Sequence, residues 1–316
     1  MPYIKERAKI LKIKLNLGLD DSQPVFSRGI NLTGKISGIV HVDILKFIRT
    51  AYAQYMQSET LSLNDVAKEF LNEKKLGFKL QHSSKLQEHH WNEYFNYNLH
   101  DSKLTLNLFE KFFPDITEFT KVAKEPLFNV TRAGISRLIE SCIIHNLNKY
   151  NEIPEKKPIY NEISERRELG PVEGAYVFEP KPGLYENVVM FDFASMHTSI
   201  IISLNLSKST LLDKKEKNAN YIKTSLGEFY FTKKPGFFTQ LINELFEKRL
   251  KYKKEYKENP SPITFARSNA FKVFSAAAHG YIAFFGARYY SKETSSAILG
   301  FVRKFHKFSR NADRRF

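Results

Sequence analysis

Three small sets of residues in this chain have types and spacings that could do chemistry. The apolar run Val188-Val189-Met190-Phe191 stops at Asp192. A buried strand ending on a carboxylate is an unusual arrangement, and an Asp so placed suits the capping of a helix that begins near Thr198. Arg249 and Lys272 lie equally far in sequence from the centre of an Asn259-Pro260-Ser261-Pro262 turn, which sets them level across a helical hairpin, with Lys253 one turn from Arg249 on the same face. A ladder of level cations is either a solvated surface or a clamp for a triphosphate, whose charge Arg and Lys neutralise. Tyr97 and Asp101 stand four apart in a helix-periodic stretch and so share a face, as residues on any ordinary helix can.

The elements that must position these groups follow from periodicity and punctuation. Residues 4–14 read as a basic amphipathic helix, 36–43 as a strand, 63–71 as a helix, and 91–113 as the longer helix that carries Tyr97 and Asp101. Residues 151–171 are polar and interrupted by Pro154, Pro158 and Pro171, the best linker in the chain. A short strand and turn are expected over 174–183, and a buried strand over 188–191. The hairpin opens at Pro235-Gly236 with Phe238, Leu241, Ile242 and Leu245 on one face, and its second helix runs from about Ile263 to His279-Gly280.

Composition restricts the classes of function. The 316 residues carry 49 Lys+Arg against 34 Asp+Glu, a net charge of +15, which points to a polyanionic partner. Residues 201–316 hold 23 basic and 9 acidic side chains, so nearly all the excess lies in the last third. One cysteine, Cys142, leaves no disulfide framework and no thiolate zinc cluster. No apolar run approaches the roughly 18 residues of a membrane span, and Met1-Pro2-Tyr3-Ile4-Lys5-Glu6-Arg7 lacks the apolar region of a signal peptide. A cytoplasmic protein without a membrane partner is expected.

Asp192-Phe193-Ala194-Ser195-Met196-His197-Thr198-Ser199-Ile200-Ile201 resembles motif A of the family B DNA polymerases, D-F-x-S-L-Y-P-S-I-I. Glu173 through Pro180 is similar to the segment that joins exonuclease and polymerase domains there. Lys272 through Tyr281 stands in the place of motif B, K-x-x-x-N-S-x-Y-G, and Tyr97-Asn98-Leu99-His100-Asp101 is similar to the third exonuclease motif, Y-x-x-x-D. Pro2 through Ala8 looks like the sequence just after the second exonuclease motif. The resemblance thus covers nearly the whole chain, and it is of the archaeal type.

The resemblance implies an α+β fold made of parts: the later portion of a ribonuclease-H-like 3′-5′ exonuclease domain over 1–125, a helical and linker segment over 126–173, palm with motif A over 174–235, an α-helical fingers hairpin over 236–280, and the start of a return to the palm over 281–316. It implies Asp192 and the Phe193 carbonyl as Mg²⁺ ligands, Arg249, Lys253 and Lys272 as triphosphate contacts, and Ser195, Met196, His197 and His279 beside the nucleotide. Asp101 would be a metal ligand of the exonuclease site and Tyr97 would orient its water. DNA primer-template and deoxynucleoside triphosphates are the implied partners. The first exonuclease motif, motif C and the thumb are not found in the chain, so other polymerase chains are expected to supply them, and a split or truncated gene follows. Because one carboxylate does not hold two Mg²⁺ ions, the isolated chain is expected neither to polymerise nor to proofread. The sequence departs from the motifs at His197 and Thr198 (Tyr and Pro in motif A) and at Ala276, Ala277 and His279 (Asn, Ser and Tyr in motif B). These departures keep open a second reading, a degenerate relative that binds DNA or serves as a structural subunit. The basic end, Arg303-Lys304 through Arg314-Arg315, is expected to be an unsupported helix unless another chain continues the fold, with exposed Phe301, Phe305, Phe308 and Phe316 as a protein interface.

Overall fold

Capping residues set where the first helices begin. In the computed structural model, which describes residues 2–27, 33–77, 87–174, 176, 177, 179, 181–189 and 192–313, α1 spans Pro2–Ile10 and a short antiparallel pair joins β1 (Val25–Ser27) to β2 (Thr33–Lys35). The Asp43 carboxylate accepts from the Lys46 amide at 3.1 Å to start α2 (Ile44–Ala51), and the Ser62 hydroxyl does the same for Asp65 at 3.2 Å to start α3 (Leu63–Leu71). Residues 36–43 are not the expected strand. Gly38 at φ +74° turns the chain between Ile36 and Ile39, and Asp43 is spent as the cap.

The 33-residue α4 (Trp91–Ala123) dominates this first unit, which comprises residues 1–120 and 125–133 and includes α5 (Leu127–Val130). The helix passes straight through Pro114, where the expected helix over 91–113 would have stopped. What carries it onward is burial on both sides of the proline, since Leu108, Phe112, Ile116 and Phe119 are all within 2% of full burial. Their rings interlock with Phe47, Tyr52 and Phe70, and the Tyr52 hydroxyl donates to Asp115 at 2.5 Å. A second stripe of α4, on its opposite side, is apolar and open to water: Trp91, Phe95, Leu99, Leu106 and Phe113, spaced by four or seven residues.

The second unit, residues 121–124 and 134–316, holds α6 (Ile135–Ile144), α7 (Tyr160–Glu168), α8 (Met196–Ser203), β3 (Leu211–Leu212), β4 (Asn220–Thr224), β5 (Gly227–Phe231), α9 (Phe237–Glu258), α10 (Pro262–Ala283) and α11 (Lys292–Asp313). The three strands form an antiparallel sheet in the order β3-β5-β4, with Leu211 opposite Phe231 and Ile222 opposite Phe229. At its centre lies α10, packed against α6, α8, α9 and α11 through Ala266, Ala270, Phe274, Ala278 and Ile282, a stripe of small and large residues at helical spacing. Gly300 lets α11 close onto β4, because a Cβ there would come within 3.0 Å of the Thr224 methyl.

Several expectations change here. The stretch read as a linker contains α7. No strand forms among the described residues of 174–189, and Val188 and Val189 are about 70% exposed, because an apolar strand is buried only where neighbouring strands cover it; Met190 and Phe191 lie outside the described residues. Phe301 is buried against the unit, whereas Phe305 and Phe308 are exposed as expected, and Phe316 lies outside the described residues. Among the described residues no helix is long and apolar enough to cross a membrane.

Candidate active site

Asp192 stands exposed at the entry to α8, but the residue at the helix N-cap is Ser195, held in the left-handed region at φ +53°. The turn is tied down twice. The Arg249 guanidinium of α9 donates to the Ser195 hydroxyl, and the buried Thr198 hydroxyl donates to the Ser275 carbonyl of α10 at 3.0 Å. Both helices of the hairpin therefore grip the segment that bears Asp192.

The hairpin keeps the expected register. Tyr252 stacks on Phe271 at 5.2 Å, Tyr256 meets Phe265 at 5.5 Å, and Arg267 pairs with Glu255 at 3.3 Å. These pairs straddle the turn evenly, so Arg249 and Lys272 stand at matching levels on the two helices, as the sequence spacing requires. Lys253 is exposed one turn farther along α9. Ser261 caps α10 by accepting from the Thr264 amide at 3.1 Å, with Pro262 in the first helical position.

Around the α8 turn lie three imidazoles. His197 stacks on His279, and His306 of α11 meets the Phe193 ring edge-on at 5.8 Å. Burial, followed by the charge of His306, lowers the His197 pKa. Met196 is half-buried at the head of α8, whereas Ala276 is exposed and offers no polar group where motif B has Asn. No local spacing marks His306, which reaches the turn from α11, far along the chain.

The first unit brings Tyr97 and Asp101 together on α4 with a residue that sequence reasoning missed. Lys75 Nζ lies 2.6 Å from Asp101 Oδ2 and 4.9 Å from the centre of the Tyr97 ring. Burial disfavours the charge on Lys75, yet the contacts with Asp101 and Tyr97 outweigh it and raise the ammonium's pKa. The segment carrying Lys75 is strapped to α4, since His100 Nε2 lies 2.9 Å from the Lys74 carbonyl and Asn107 donates to Glu73 at 3.4 Å. Asp101 Oδ1 is buried without a hydrogen-bond partner.

The donor chemistry fits magnesium at each place to the extent of one carboxylate: Asp192 is exposed, and Asp101 has one uncommitted oxygen. Among the described residues no group of three or more His, Cys, Asp or Glu is arranged to hold a metal.

The sequence profile of DNA polymerase family B matches residues 126–307, more than half of the chain and all of the α8 turn and hairpin. The chain belongs to the family B DNA polymerases. It is 31% identical to DNA polymerase 1 of Pyrococcus abyssi over 320 residues, covering 96% of this chain and 40% of that one, and 29% identical to the DNA polymerase of Thermococcus gorgonarius over 311 residues, covering 96% and 39%. Its structure is similar to that of the family B DNA polymerase from the hyperthermophilic archaeon Pyrobaculum calidifontis, with a TM-score of 0.79 at 27% identity over 100% of this chain and 41% of the other. This family B chain thus spans about two fifths of the length of the relatives it matches.

Proposed function

We propose that this chain supplies the palm carboxylate and the fingers of a template-directed DNA polymerase, and that it works with polypeptide that supplies the second metal-binding carboxylate. The observation that carries the reading is the Arg249–Ser195 hydrogen bond, which joins a fingers cation to the turn bearing Asp192. In nucleotidyl transfer a primer 3′-hydroxyl attacks the α-phosphorus of a deoxynucleoside triphosphate and expels pyrophosphate. Asp192 and the Phe193 carbonyl would hold Mg²⁺, which when bound neutralises charge on the phosphates. Arg249 and Lys272, with Lys253 farther out, receive the triphosphate oxygens as charge-assisted donors. Ser195 aims Arg249, and the His197 ring, with Met196 before it and His279 behind it, walls the space beside the sugar. In the first unit Asp101 would be one ligand of a phosphodiesterase site, with Tyr97 and Lys75 beside it.

The test is magnesium-dependent primer extension by the chain assembled with polypeptide carrying the missing carboxylate motifs. Asp192→Ala should lower extension by about 10³-fold or more, the scale of a lost essential ligand; undiminished extension would remove Asp192 from the metal site. The exposed Ala276 favours the alternative of a degenerate DNA-binding relative, for which the assembled wild-type complex would bind primer-template and not extend it.

A further inference from the structure

Two imidazoles meet where α8, α10 and α11 converge. The ring of His197, in the first turn of α8, lies on that of His279 with centroids 4.9 Å apart and planes 28° from parallel. His279 Nε2 is 3.4 Å from the Ser295 hydroxyl of α11, and Thr198, next to His197, is the residue bonded to Ser275. Neutral aromatic rings gain from such stacking, whereas a proton on either ring creates a half-buried cation and a proton on each sets like charges face to face.

We propose that His279 is a positioning residue of the nucleotide site: its neutral ring holds His197, and through it the Ser195–Thr198 turn facing Arg249, so that triphosphate affinity falls as the pair takes up a proton in mild acid. The inference rests on the reading of this turn as a triphosphate site. Among the elements packed against α10, α8 presents His197, and α11 presents Ser295 together with His306, which acts on His197. Glu140 of α6 is engaged by Tyr281 and Arg288. On α9, Arg249 is bonded to Ser195 and Lys248 lies over the Phe271 ring. Among the described residues no carboxylate acts on either ring to welcome a proton.

Burial first, and His197 second, hold the His279 imidazole down at about 4. A base whose pKa is depressed by folding lends its full stabilisation above the free value of about 6.5 and loses it as pH falls toward the folded value. For the closing of the stack this amounts to a loss of up to about 30-fold in the equilibrium constant between neutral pH and pH 5. The comparison with a ring that cannot titrate isolates this effect, because the triphosphate's terminal phosphate also takes up a proton in this range, while histidines that merely gained charge beside it would tighten its binding.

The experiment is equilibrium binding of deoxythymidine triphosphate with Mg²⁺ to the full chain at pH 7.5 and pH 5.0, for the wild type and for His279→Phe, which keeps a stacking ring and cannot titrate. In acid the wild type should weaken at least about threefold more than the variant, whose own profile reports the protonation of the triphosphate; equal pH profiles would overturn the proposal. If no triphosphate binds at pH 7.5, the nucleotide-site reading fails by itself. The positioning role is then read by NMR without nucleotide, in the amide signals of Ser195 and His197. These should shift with the same midpoint as the His279 ring and lose that shift in His279→Phe, and amides that do not follow the ring would refute it.

Discussion

Replacing Asn205 by alanine removes a side chain that makes four hydrogen bonds at once. Its Nδ2 donates to the carbonyls of Thr232 and Lys234, each at 2.7 Å, and its Oδ1 accepts from the Gly236 amide at 3.1 Å and from the Thr239 hydroxyl at 2.7 Å. The residue thereby fixes the end of β5 to the start of α9, the helix that delivers Arg249. Each such bond contributes about 0.5–1.5 kcal/mol net. Asn205 also sits at φ +55°, where alanine is disfavoured by about 1–2 kcal/mol. The loss expected for Asn205→Ala is therefore about 3–8 kcal/mol. Asn205→Gly forfeits the same bonds without the backbone penalty and should lie about 1 kcal/mol above the alanine variant. Cys142 offers a reporter confined to the second unit: it is buried in α6, and burial pushes its thiol up to about 11, so it reacts with a thiol reagent only when the unit opens. Pulsed labelling across a urea series gives the stability of that unit without requiring the whole chain to unfold in one step. An alanine variant within about 1 kcal/mol of wild type, or a glycine variant less stable than alanine, would refute the reasoning.

Two further outcomes follow from single contacts. Pro114→Ala should stabilise the first unit by about 1–3 kcal/mol, because it returns an amide to the α4 ladder and removes the ring's clash with the preceding turn; thermal unfolding of the chain measures it, and a lower midpoint would mean that the proline's shape is needed in the core. Arg303 donates to the carbonyls of Glu173 and Gly174, both at 2.8 Å, and pairs with the Glu173 carboxylate at 3.0 Å. Arg303→Ala should expose this segment, and limited proteolysis near residue 174 should speed up several-fold while cleavage within α9 and α10 stays as in wild type.

The helical hairpin is legible because its signals are local: Pro235-Gly236, the Ser261-Pro262 cap and the apolar spacing lie within the elements they define. The register of Arg249 against Lys272 needed only a turn position. Helix α4 was legible to Phe113 and misread at Pro114, since burial of Ile116 and Phe119 outweighs a local breaker and no window around the proline reports burial. The strand readings at 36–43 and at Val188-Val189 fail for a related reason. Alternation and apolar runs describe what a segment would do with a partner, and strand formation is a property of pairs. Lys75 and His306 carried no signal at all, because each is brought to its site by tertiary folding from a segment with a different periodicity. The positive charge of the last third spreads over α9, α10, α11 and the loops beside them, and only a part of it faces the Asp192 turn.

The double-sided character of α4 bears on how the protein behaves in a test tube. A helix that buries one flank in its own unit and offers Trp91, Phe95, Leu99, Leu106 and Phe113 to water on the other has a standing tendency to meet a second surface. For this chain alone, the nearest such surface is another copy, and the resulting assemblies would cover the stripe. Protein concentration therefore acts as a hidden reagent in any measurement on the first unit, since molecules that are each correctly folded can adhere through this stripe.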